Sequence, residues 1–172
     1  MHRARGGARE VKRIVDRLHR ITLGVALVLF AVLFAVQVAI VHMRYVMGVG
    51  FLEFQDVVSY SFAALVVLSV PLAMRLDRHV RVDVLRASFT ARRNRRIDRV
   101  GHLIFTLPVF GLMLWNAVPL VAASWKIREG AMETGGLGGL FVVKTTVIVM
   151  CVLVLIIALA DLADREGPRD DG

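Results

Sequence analysis

Two side chains that could do chemistry together, His79 and Asp83, lie four residues apart in "LDRHVRVDVLR" (Leu76–Arg86). They could begin a metal site or, with the arginines around them, a phosphate site. A metal ion needs more ligands than this stretch offers, and Arg78 and Arg81 beside it repel cations. Lys144, Asp56, Glu53 and Glu133 are the next group, because each stands in or beside an apolar run. His42, His102 and His19 raise the question of a haem, which needs two histidines at similar depth. "GGLGG" (Gly135–Gly139) precedes a helix but lacks the Lys-Ser/Thr ending of a phosphate loop, so it reads as a turn permitting close helix entry. The single cysteine, Cys151, lies inside an apolar run and reads as a packing residue. The sequence carries no recognisable nucleophile–base pair and no Cys/His spacing typical of a metal site.

The elements that must position these residues are set by apolar runs. Of 172 residues 57% are hydrophobic, and the mean hydropathy is +0.66. A soluble domain of this length carries more charge, more evenly spread. Four runs suffice to cross a hydrocarbon core of roughly 20 apolar residues: Ile21–Met43, Val57–Met74, Val100–Ala123 and Leu140–Ala160. Each is predicted to be helical, because a backbone in lipid must satisfy its own hydrogen bonds. The expectation is an all-α integral membrane protein: a basic tail over 1–20, a four-helix domain over 21–161, and a short tail over 162–172. The first run is too long for a signal peptide and no small-residue cleavage pattern follows it, so it reads as an uncleaved anchor.

Orientation follows from the basic residues. The formal net charge is +8, which in a soluble protein would suggest nucleic acid, but here the cations flank apolar runs. The first tail, the loop between spans two and three, and the last tail together hold 18 of the 22 Lys and Arg. Both termini and that loop are predicted to be cytoplasmic. "LDRHVRVDVLR" then lies at the inner membrane surface. It is either a short amphipathic helix in the headgroups, with Val82, Leu85 and Phe89 on one stripe, or a solvated basic loop. On this topology His42 is outside and His102 inside, so they cannot share a haem. Asp56 and Lys144 fall near the outer face. Lys144 is expected to pair with Asp56, Glu53 or Glu133, or to snorkel to the interface. Tyr45 and Trp125 read as members of aromatic belts, and the deeper Trp115 as packed against a neighbour.

The order of these features resembles a known family. A basic tail and one span are followed by "RYVMG" (Arg44–Gly48), then "LEFQD" (Leu52–Asp56) opening a second span that ends in "RLDRHVRVDVL" (Arg75–Leu85). Later come "SWKIREGAMETGGLGG" (Ser124–Gly139) and "FVVKTTVIV" (Phe141–Val149). This is similar to the DctQ-like small membrane subunit of tripartite ATP-independent periplasmic (TRAP) transporters, from about Thr22 to Asp161. The most recognisable piece is His79–Asp83 with Arg81 at its centre. Arg44 and Tyr45, Gln55 and Asp56, and the series Glu133, Gly136, Leu137, Lys144 add to it. Many relatives have Trp where this chain has Glu53, Glu at Asp56, and Pro at Gly138.

The resemblance implies a non-enzymatic, four-span partner of a large multi-span membrane subunit, in the bacterial inner membrane. That large subunit would carry the sodium and substrate sites of an organic-acid importer, with no cofactor in this chain. A soluble periplasmic protein would deliver the solute. Arg44, Glu53, Glu129 and Glu133 would be the surface offered to it on the outer side. The remaining partners expected are membrane lipids, and no nucleic acid. Two other readings stay open on the residues alone: an anchor or haem-bearing subunit of a respiratory complex, and a self-sufficient small exporter.

Overall fold

A computed structural model describes residues 2–75, 97, 99–131 and 136–163, without the side chains of 2–9, 11, 12 and 75. Four long helices run through the described residues. Helix α1 covers His2–His42 and runs into a wider π-turn, Met43–Met47. Helix α2 covers Leu52–Arg75, α3 covers Leu107–Lys126 behind a π-turn at His102–Thr106, and α4 covers Leu140–Ala163. Among the described residues, four segments are long and apolar enough to cross a membrane: Arg13–Met47, Leu52–Met74, Arg99–Lys126 and Leu140–Ala163. The all-α, four-span architecture expected from the apolar runs is therefore present. The chain forms no strand among the described residues, only an isolated bridge between Gly130 and Gly138.

Local chemistry explains where the helices start, widen and stop. Helix α1 ends at Gly48, whose left-handed backbone lets Val49 N–H reach back to the Met43 carbonyl at 3.2 Å. Pro108 has no N–H to offer one turn back, and the π-turn just before it re-registers the ladder. Two boundaries differ from the sequence expectation. Helix α1 begins within the basic segment rather than after it, and α2 begins five residues before Val57. Glu53, Gln55 and Asp56 thus stand on the opening turns of α2.

Helix α4 is the centre of the bundle. It packs on α2 and α3 and meets α1 over a shorter stretch, while α2 also packs along α1. The core gathers Met150, Cys151 and Val154 of α4, with Val67 and Val70 of α2 and Phe110 and Leu114 of α3 around them. Cys151 is fully buried there, in the packing role its surroundings in sequence suggested. Ser61, Ala64 and Leu68 turn the same face of α2 inward, as Ala117, Val121 and Ser124 do on α3. Small side chains at these contacts let helices approach closely. The outward faces of α1 and α3 stay apolar and uncovered. Trp115 is among them at 78% exposure, so it faces outward from the bundle rather than packing within it.

Candidate functional site: a clamped loop at one end of the bundle

Arg44, Glu53, Gln55, Asp56, Glu129 and Lys144 gather at one end, where α1 stops, α2 begins, and the segment 127–139 joins α3 to α4. The described arms of that segment, 127–131 and 136–139, pair with each other. Ala131 N–H donates to the Leu137 carbonyl at 3.2 Å, and Gly139 N–H to Glu129 at 3.4 Å. A Cβ at Gly130 would lie 3.1 Å from the Leu137 carbonyl oxygen and 3.2 Å from that of Gly136, so a larger residue would push the two arms apart by a few tenths of an ångström. Gly136 turns the chain with φ 73°, a region that strains other residues.

Helix α2 holds this loop through two side chains one turn apart. Asp56 is 1% exposed and accepts Leu137 N–H at 3.1 Å. Tyr60 donates its hydroxyl to the Leu137 carbonyl at 2.7 Å. Both polar groups of one peptide residue are thus secured by helix α2, 77 and 81 positions earlier. The buried carboxylate fits here because it is hydrogen-bonded, and an unpaired one would be costly.

A second clamp ties the loop to α3 and α4. Lys144 Nζ meets Glu129 Oε2 at 2.5 Å, and Ser124 Oγ donates to the same oxygen at 2.5 Å. The Glu129 carboxyl is held below its ordinary value of 4.5, first by the Lys144 hydrogen bond and then by that of Ser124. Alongside, Trp125 Nε1 donates to Thr145 Oγ1 at 3.0 Å and its ring meets Phe141 edge-on at 4.5 Å. The indole therefore fastens α3 to α4 besides standing at a boundary.

These contacts correct one expectation. Lys144 does take a carboxylate partner at this end, and it is Glu129, an acid not among those expected to pair with it; of those, Glu133 lies outside the described residues. The reason is reach: Asp56 faces the Leu137 backbone, while the pairing of Glu129 with Gly139 brings the Glu129 carboxylate beside the first turn of α4. Glu129, offered by the sequence as a docking contact, is instead largely spent on Lys144 and Ser124, with 22% of its side chain exposed. Arg44, Tyr45, Glu53 and Gln55 are all exposed at this end, Tyr45 at 81%. His79, Arg81, Asp83 and Glu133 lie outside the described residues, and so does the stretch expected to form an interfacial helix. Tyr60 and Ser124 were not picked out beforehand. Tyr60 could have been, since it stands four residues after Asp56 on the same helix face; Ser124 had no such signal.

At the opposite end, His102 Nε2 lies 3.7 Å from the Asp161 carboxylate, and its Nδ1 is 3.3 Å from Thr106 Oγ1. His42 sits at the other end of the bundle, on the last turn of α1. The described residues bring no three His, Cys, Asp or Glu side chains together in a metal-like cluster.

Four apolar helices, clamped through a polar loop at one end, define a small multi-pass helical membrane protein. The family is fixed by comparison: the model for the DctQ component of tripartite ATP-independent periplasmic transporters matches residues 33–166, most of the chain, and the chain belongs to that family. No curated protein and no solved structure matches it. It is a small permease subunit of the TRAP type, in a family of transporter components rather than enzymes. The matched residues include both clamps.

Proposed function

We propose that this subunit is a fixed scaffold, without transport activity of its own, for the large membrane subunit of a sodium-coupled importer of an organic acid. Sodium and solute would bind on the large subunit. The chain would sit in the bacterial inner membrane with both termini cytoplasmic, as supported by the crowding of 18 of its 22 Lys and Arg on one side. The clamped loop then faces the periplasm. Arg44, Glu53 and Gln55 around it are exposed polar groups that a substrate-binding protein could touch.

One observation carries the scaffold reading. Gln37 lies six residues inside the outer end of the apolar run, about 9 Å deep at the helical rise. It is exposed on α1 in a shallow groove with Phe34, Val38 and Val41, and makes no hydrogen bond among the described residues. Lipid tails offer an amide no partner, whereas a neighbouring protein helix can, at about 1 kcal/mol per such bond. Gln37→Leu is expected to weaken co-purification with the large subunit by about five-fold, while the isolated chain melts as before. Unchanged co-purification would remove this face from the interface.

A further inference from the structure

The end of the bundle away from the loop carries a charged face that the scaffold role leaves unused. From Val15 to Thr22, helix α1 is fixed in rotation by its inner stripe. Val15 is 3% and Thr22 8% exposed, and with Leu18 they line a crevice closed by Pro71 of α2 and by Leu153 and Ile157 of α4. At 100° per residue, Arg13, Arg17 and Arg20 fall together on the opposite face. All three are exposed, and none has a carboxylate partner among the described residues. Asp16, beside them, is half-buried and has a partner of its own, and Glu10 is exposed about one turn further out.

Arg20 and Arg17 stand at the height of a lipid headgroup layer, and Arg13 lies just beyond it, within the reach of its long side chain. The apolar run Ile21–Met43 is about 34 Å long as a helix, close to the hydrocarbon thickness, so Arg20 stands at its edge. Arg17 is about 4.5 Å and Arg13 about 10.5 Å further out, against an interfacial layer of roughly 5–7 Å per leaflet. Below Arg20 the same face continues as Gly24, Leu27 and Ala31. A Cβ at Gly24 would meet nothing within 4 Å, and Leu27 is 60% exposed. Positive charge that only directs insertion has no need to share one helical face. Here three guanidiniums, without a carboxylate partner among the described residues, stand in line above an uncovered apolar strip.

We propose that Arg13, Arg17 and Arg20 bind the phosphate of an anionic glycerophospholipid, with an acyl chain lying along Gly24, Leu27 and Ala31. Guanidinium forks suit phosphate oxygens, and the helix holds them at graded depth. This proposal is independent of the transport reading, because it concerns the chain alone.

The test is native mass spectrometry of the purified full chain in a neutral detergent, where insertion orientation has no bearing. It is titrated with phosphatidylglycerol, phosphatidylcholine or glycerol phosphate. Phosphatidylglycerol is expected to bind about ten-fold or more tightly than phosphatidylcholine. The triple variant Arg13→Gln, Arg17→Gln, Arg20→Gln should lose that preference with unchanged helical circular dichroism. A control removing the same charge from the other end (Arg44→Gln, Lys126→Gln, Arg128→Gln) should keep it. A preference that survives the first variant, or vanishes equally in the control, overturns the site. Displacement of the lipid by glycerol phosphate would overturn the lipid assignment in favour of a free phosphate. Protection of an Arg17→Cys thiol by the large subunit in lipid-depleted detergent would assign the face to protein and equally overturn it.

Discussion

Lys144 has to find an acceptor because it starts one turn into an apolar helix, where an ammonium is costly without a partner or a path to water. That need was legible from sequence alone. Which acid would answer was not, since several carboxylates flank the apolar runs at the same boundary and only the pairing of Glu129 with Gly139 brings Glu129 to Lys144. The pairing has a pH signature. Because the Glu129 carboxyl titrates below 4.5 when folded, its contribution is complete above that pH and is lost as pH falls through the lowered value. Thermal unfolding of the wild type and of Glu129→Gln should therefore differ at neutral pH and converge as the pH drops well below 4.5. Asp56 offers a sharper case, being buried against a backbone N–H. Asp56→Ala strands the Leu137 amide and is expected to cost about 1–3 kcal/mol, whereas Asp56→Asn retains an acceptor oxygen and should cost less. Trp125 fluorescence, from the seam between α3 and α4, gives the unfolding readout for both.

At the scale of elements, the four helices were legible because the bilayer leaves the backbone so few alternatives. Their ends were less so. The run from Leu52 to Asp56 mixes apolar and charged residues, and hydropathy alone dates the span from Val57; the helix starts at Leu52, which puts Asp56 within it on the same face as Tyr60, where both hold Leu137. Likewise, the basic residues before Ile21 hide the stripe Val15, Leu18 and Thr22, which extends α1 inward against α2 and α4. Glycines in 130–139 announced a turn, but the sequence did not reveal that both arms would close on each other and lock to α2. That closure makes Gly136 sensitive. Gly136→Ala places a side chain at φ 73° and should cost about 1 kcal/mol, lowering the melting temperature. The loss should be additive with that of a distant core variant such as Val154→Ala, and sub-additive or super-additive with Asp56→Ala, which shares the loop.

As a whole molecule, the chain combines a rigid clamp at one end with large uncovered apolar faces on its outer helices. The family defines it as a small TRAP permease subunit, and the bundle's exposed amide at Gln37 gives one place where a second protein would be energetically welcome. Neither a substrate-site signature nor a nucleotide motif stands in this sequence, so the transported solute was not legible in it. The central claim is that this subunit is required by the large subunit yet does not transport alone. The direct measurement is sodium-driven solute uptake into proteoliposomes containing both membrane subunits, the large subunit alone, or this chain alone, each with the substrate-binding protein supplied outside. Uptake only with both membrane subunits present is the expected result; uptake by this chain alone, or full uptake without it, would contradict the account.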